Sequence, residues 1–288
     1  MLAIVGTIPD RYFPLKAGPV LLQNHGLKIE NNRFPVNRGT PALLAAAIQA
    51  GQVLGLTDPY GFLVGDIGLG DGSRKLYEYL SHELKNHHFQ TITFHYLQPD
   101  VDWHNKVLFS IEEMKNRPIL IADAGFMYAA KMSGQAPQYD LFTPDVGETT
   151  FLADEEAPHP FYTRGFILHD HNKVPDLITR AYEYNNAARY LLVKGEKDYM
   201  ADKDGIHHII DGHSEEAMEA IGGTGDTLTG IVSALIASGM DIKQASFIAA
   251  KANRLAGYYA QPIPATQVGE IIQQIPKALE AILKEYRG

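Results

Sequence analysis

The stretch IGGTGDTLTG (221–230) places Gly222, Gly223, Gly225 and Gly230 within ten residues, around a single carboxylate, Asp226. Beyond it, Leu228, Ile231, Val232, Leu235 and Ile236 recur at helical spacing, and SGMD (238–241) ends the run. A glycine turn that feeds a helix has two readings. It is either a tight loop capped by Thr or Asp, or a loop whose amides are laid open to a ligand because no Cβ stands in the way. In the second case the free N–H groups of Gly222, Gly223, Thr224 and Gly225 and the helix dipole together favour an anion.

Familiar phosphate loops do not fit. A Walker loop needs Gly-Lys-Ser/Thr, and a dinucleotide fingerprint follows a strand, whereas SEEAMEA (214–220) precedes Gly222. GLGDG (68–72) follows a candidate strand but lacks the third glycine spacing. An anion hole with Asp226 beside it suits phosphoryl transfer to an alcohol. That reaction needs N–H groups for the developing charge and a carboxylate to orient the hydroxyl and take its proton. The loop calls for no directly bound metal and no covalent intermediate.

Outward from the loop, short apolar runs alternate with helical patterns. Candidate strands are LAIVGT (2–7), GFLVGD (61–66), TITFHY (91–96), PILIADA (118–124), DLFTP (140–144), GFILHD (165–170) and YLLVKG (190–195). Candidate helices lie near 40–53, 73–86, 105–116, 147–153 and 174–189, with further ones from Asp226, over 242–260 and over 266–286. This pattern predicts an α/β fold with a mostly parallel central sheet and helices on both faces. No repeat or linker divides the chain, so one domain spanning 1–288 is expected. Ligands of such sheets bind beyond the carboxyl ends of the strands, where Asp66, Asp123, Asp145 and Lys194-Gly195 fall.

Composition narrows the function classes. The 288 residues are 45% hydrophobic, enough for a sizeable core, and carry a formal charge of −9. That balance argues against nucleic acid, which is held by clustered Lys and Arg, but leaves room for a small anion on backbone amides. With no cysteine, disulfides and thiolate chemistry are excluded. No stretch has the length of a membrane span or the form of a signal peptide, so a cytoplasmic protein without a membrane partner is expected.

GGTGDTLTG (222–230) strongly resembles the catalytic glycine motif of the ribokinase-like superfamily. Within it the chain is most similar to the carbohydrate-kinase-type family of NAD(P)H-hydrate dehydratases, from about Gly39 to the C-terminus. GTPALLAAAIQAG (39–51), GLG (68–70), IADAG (121–125), TPDVGE (143–148), LVKG (192–195) with the hairpin-like DYMADKDGIHHI (198–209), and ATQVGEIIQQIPKAL (265–279) carry this resemblance in order.

The resemblance implies ADP or ATP as phosphoryl donor, Mg2+, hydrated NADH or NADPH as substrate, and a homo-oligomeric assembly. It implies Asp226 as the catalytic group and Gly225 with its neighbours as the phosphate site. Lys194 and Gly195 would lie along the nucleotide. Thr40, Gly70 and Asp145 would contact the substrate, with Asp123 on the rim or capping the next segment. Glu148 would organise magnesium and phosphate through water. The chain departs from the family at Asp66, Ile67, Asp145, Val146 and Asp198. A carboxylate at 145 repels an anionic dinucleotide unless a cation or water intervenes. The alternatives are a kinase for a sugar, vitamin precursor or other alcohol, and a nucleotide-binding regulator, which the intact Gly-Thr-Gly-Asp disfavours.

Three further features read as structural. His87-His88 and His207-His208 point to opposite faces of any strand, and HDH (169–171) reads as a surface feature. Trp103 reads as a packed loop residue, with adenine stacking as the lesser alternative. Ser73 reads as the cap of a helix.

Overall fold

Along β1 (Leu2–Ile8), Leu2, Ile4 and Ile8 enter one apolar cluster while Ala3 and Val5 enter another. Because successive side chains of a strand point to opposite faces, this strand is buried on both sides and needs helices over each. The structure, a computed structural model, describes residues 1–24, 26–160, 174–213 and 215–287. The expected strand GFILHD (165–170) and the HDH triplet (169–171) lie outside the described residues.

Beside β1 run β5 (Tyr60–Gly65) and β6 (Thr91–Phe94), followed outward by β7 (Ile119–Ala122), β8 (Leu141–Phe142) and β9 (Tyr190–Val193), all parallel. Two antiparallel strands, β10 (Asp198–Asp202) and β11 (Gly205–Ile210), finish that edge. The other edge is an antiparallel meander of β2 (Lys16–Gln23), β3 (Gly26–Ile29) and β4 (Asn32–Pro35). Among the described residues the order is β11-β10-β9-β8-β7-β6-β1-β5-β2-β3-β4 in one eleven-stranded sheet.

One face is covered by α1 (Thr40–Leu54), α7 (Thr224–Ala237), α8 (Ile242–Ala260), α9 (Val268–Ile272) and α10 (Ile275–Arg287). The other is covered by α2 (Asp71–Glu83), α3 (Val101–Glu112), α4 (Ala124–Met132), α5 (Val146–Leu152) and α6 (Val174–Glu183). The expected α/β architecture, a mostly parallel sheet between helical layers, is therefore present. Among the described residues no helix is long and apolar enough to cross a membrane.

The differences from expectation have local causes. The meander was not anticipated because β3 and β4 are only four residues each and carry charged side chains. The segment after Asp123, left unassigned from the sequence, is a helix, α4. The single terminal helix expected over 266–286 is two, α9 and α10, with Pro276 in the first turn of the second, where its missing N–H does no harm. Helix α2 begins at Asp71 with Gly70 as N-cap, so Ser73 is not the cap. Trp103 sits in the first turn of α3, under Lys106, and lines neither of the cavities described below.

Helices α1 and α7 cross at Gly230, where an added Cβ would stand 2.3 Å from the Leu43 carbonyl oxygen. Gly230→Ala is expected to force the helices apart and cost about 1–3 kcal/mol, read as a lowered Tm. The same helix carries Asp226, so turnover should fall with it.

Candidate active site

The chain turns into α7 through Gly223, whose φ of 109° lies in the left-handed region that glycine adopts freely. No side chain caps the helix, so its first amides have no partner within the helix or from a cap. Asp226 sits in that first turn, buried, and its carboxylate points away from its own loop. Oδ2 accepts the Gly39 N–H at 2.6 Å, and Oδ1 lies 3.0 Å from His95 Nε2. An ionised carboxylate can only accept, so Nε2 carries the proton, and Nδ1 faces the Thr40 hydroxyl at 3.0 Å. Burial pushes the Asp226 pKa upward, but the hydrogen bond and charge of His95, with Lys194 and the Gly39 amide, hold it below the ordinary carboxylate value.

Gly39 and Thr40 reach this point because α1 starts in a glycine conformation, φ 83° and ψ −150°. Gly6 makes the room: a Cβ there would stand 2.4 Å from the Thr40 hydroxyl. His95 follows β6 directly and is fully buried. As a lone histidine after an apolar strand it gave no signal in the sequence.

Behind Asp226 lies a second charged group. Asp123 caps α4 through the Ala124 N–H and also accepts from Lys194 Nζ at 2.8 and 3.0 Å and from the Thr229 hydroxyl at 2.6 Å. Asp123 thus caps α4 and also lines the larger of the cavities described below. Burial alone would lower the Lys194 pKa, but Asp123 and Glu148 raise it, and the ammonium stays charged. His95, Asp123 and Asp226 each offer a ligand atom within 4.8 Å of the others. The Lys194 ammonium already holds Asp123, and its charge opposes a cation entering that cluster.

Asp145 and Glu148 form a capping box on α5. Glu148 also accepts from the Tyr128 hydroxyl at 3.2 Å. Burial, then the Asp123 charge, push the Glu148 pKa up to about 8 against the pull of Lys194. A raised value means that the folded chain keeps a proton which the unfolded chain releases. The contribution of this one group to stability is therefore fully present below about 4.5 and is lost as pH rises towards about 8. Glu148→Gln, which keeps the capping acceptor, is expected to flatten this decline when melting curves of both proteins are compared across that window.

Two cavities meet at these groups. The larger, about 920 Å³, is lined by Gly223, Thr224, Gly225 and Asp226 and by Asp123, Asp145, Glu148, Lys194 and Gly195. The smaller, about 620 Å³, is lined by Arg38, Gly39, Thr40, Tyr128 and Glu148 among others. Tyr96, Ala124 and Glu148 line both. Tyr96 and Ala124 have φ of 41° and 47°, a strained choice for residues with a Cβ, at the seam between the cavities. Arg38, His95, Tyr96 and Tyr128 were not singled out from the sequence.

Two expected contacts sit elsewhere. Gly222 is exposed and lines neither cavity. Gly70 is buried and also lines neither, its N–H given to Asp66. The Asp66 carboxylate accepts the amides of Gly68, Leu69, Gly70 and Ser73 and the Ser73 hydroxyl. Burial works against it, yet these bonds hold its pKa below the usual range. The glycine turn is thus filled by the chain's own anion. Asp198, another departure, is paired with Arg254 at 2.7 Å.

The sheet and its covering helices have the ribokinase-like fold, as two solved structures show. A ribokinase-like superfamily protein of Enterococcus faecalis superposes with a TM-score of 0.59 at 14% identity, over 98% of this chain and 87% of that one. The ADP/ATP-dependent NAD(P)H-hydrate dehydratase of Bacillus subtilis, co-crystallised with ATP/Mg2+, gives 0.58 at 12% identity, over 98% and 89%.

Residues 98–277 match the carbohydrate-kinase family described as NAD(P)H-hydrate dehydratase, and the chain belongs to that family. The match starts at Gln98, so the similar stretches at 39–51 and 68–70 lie ahead of it. An uncharacterized protein of Methanocaldococcus jannaschii is 46% identical over 221 residues, 76% of this chain and 90% of its own length. Family and fold together indicate a kinase or dehydratase.

Proposed function

We propose that this chain moves the terminal phosphoryl group of ADP or ATP onto a hydroxyl held in the smaller cavity, and that hydrated NADH or NADPH is the acceptor. One observation carries the reading. Asp226, ionised and fixed by Gly39 and His95, stands at an uncapped helix N-terminus in the larger cavity, while those same two partners tie it to Gly39 and Thr40 of the smaller.

The acceptor hydroxyl donates to the Asp226 carboxylate, which takes its proton as the oxygen bonds to phosphorus. The first amides of α7 face the phosphate oxygens, and the donor's bridging oxygen leaves with its electron pair. On a hydrated nicotinamide ring, the new phosphate ester is a good leaving group. The ring-nitrogen lone pair expels it as phosphate, and the iminium so formed loses a proton from the neighbouring ring carbon to water, which restores the dihydropyridine.

Asp145 and Glu148 are hard oxygen donors that suit Mg2+, directly or through its water shell. Bound there, the ion would offset phosphate charge in a cavity also lined by Glu196, Glu215, Glu216 and Glu219. The reading implies a single-domain, cytoplasmic enzyme.

A second reading, a kinase for a small alcohol without phosphate groups, is favoured by Asp66. Its carboxylate occupies the amides of Gly68–Gly70 that would otherwise meet an anionic substrate. Both readings share the first step. Chemically hydrated NADH is expected to regain its dihydronicotinamide absorbance when enzyme and ADP or ATP are added. Failure with both nucleotides, together with phosphorylation of another alcohol, would leave the kinase.

A further inference from the structure

We infer that Arg38 is a further catalytic residue, whose guanidinium closes on the phosphoryl group as it passes between the cavities. This rests on the phosphoryl-transfer reading above. The stem of Arg38 lies across the glycine loop: a Cβ on Gly222 would stand 3.1 Å from Arg38 Cδ, and one on Gly223 3.1 Å from Arg38 Cα. The side chain therefore covers the loop whose residues 223–225 line the larger cavity, while itself lining the smaller one. The next residue, Gly39, donates its amide to Asp226, so Arg38 is one peptide unit from the group that takes the proton.

The charge balance gives Arg38 its role. Of the lysine and arginine side chains lining the two cavities, Lys194 is held by both oxygens of Asp123, and Arg254 by Asp198 and the carbonyls of Gly195 and Glu196. Arg38 is exposed, and among the described residues its guanidinium has no ion pair and no hydrogen bond. It is the cation still free to meet a ligand.

During transfer the bond from phosphorus to the acceptor oxygen forms and the bond to the donor's bridging oxygen breaks, its electron pair leaving with the nucleotide. Negative charge spreads over the three equatorial oxygens beside the ionised Asp226. Backbone amides of α7 meet that charge from one side. A planar guanidinium meets two of the oxygens at once from the other, a geometry an ammonium cannot copy.

The test needs no knowledge of the acceptor. Nucleoside diphosphate with aluminium fluoride and Mg2+ imitates the group in transit, and calorimetry compares its affinity with that of the diphosphate alone. In the unaltered protein, fluoride is expected to tighten binding about 100-fold or more, the scale of one lost oxyanion donor. Arg38→Met keeps the stem on Gly222. It should bind the diphosphate alone within about threefold of the unaltered protein and lose most of the tightening, with Arg38→Lys in between. Full tightening in Arg38→Met would overturn the inference and leave phosphoryl transfer standing. Equal loss of the diphosphate alone in both variants would also overturn it, since Arg38 would then be a ground-state contact. No tightening in the unaltered protein, either with the diphosphate or with the monophosphate that ADP would leave as donor, would sink both the inference and the reading beneath it.

Discussion

Asp226→Asn is expected to lower turnover by about 100- to 10,000-fold while nucleotide still binds, because a positioned general base contributes on that scale. The substitution preserves shape and can keep the Gly39 amide bonded to its one remaining carbonyl oxygen. Its amide nitrogen then meets His95 Nε2, which the carboxylate oxygen had faced at 3.0 Å. Two donors confront each other, and the group can no longer take a proton. Single-turnover rates and nucleotide affinity measured side by side decide the matter. A variant that turns over at the original rate removes Asp226 from the chemistry, whatever the shape of the loop.

Lys194→Met should have the largest effect on stability, about 3–5 kcal/mol, because it strands the Asp123 carboxylate. That group is 1% exposed, and removing the ammonium leaves it hydrogen-bonded by the Thr229 hydroxyl and the Ala124 amide, with His95 Nε2 4.0 Å away. Adding Asp123→Asn should recover most of the loss, since the remaining partner no longer carries a buried charge. Urea unfolding of the two single variants and the double variant yields the coupling directly. Additive losses would mean that the pair contributes little beyond packing. Activity should fall in the single variant as well, through the shift of Asp123 beside His95.

The glycine loop was legible because its signal is local. Four glycines and one acid in ten residues specify a turn, a helix start and a carboxylate without reference to the rest of the chain. The central strands were legible for a similar reason, each being a short apolar run closed by polar residues. Pairings between distant strand ends were not. Lys194 and Asp123 meet because β7 and β9 flank β8 in parallel, and strand order is not written in either segment.

His95 was missed because one histidine after TITF resembles a satisfied core residue, and only the approach of α1 and α7 gives it Thr40 and Asp226. Asp66 was noted as unusual for the family, yet its role depends on the loop folding back so that four amides converge on one carboxylate. A charge in a sequence tells nothing of whether it faces a ligand or its own backbone.

The bond from the Gly39 amide to Asp226 joins residues 187 positions apart. On a ribosome adding about 5–20 residues per second, roughly 10–40 s separate the making of its two halves. During that interval the nascent chain already has the segment that walls the smaller cavity, but not the carboxylate its amide will hold. On the proposed reading, synthesis order keeps the protein chemically silent until the closing helix docks, and truncation ahead of residue 226 is expected to yield a silent chain rather than a misdirected enzyme.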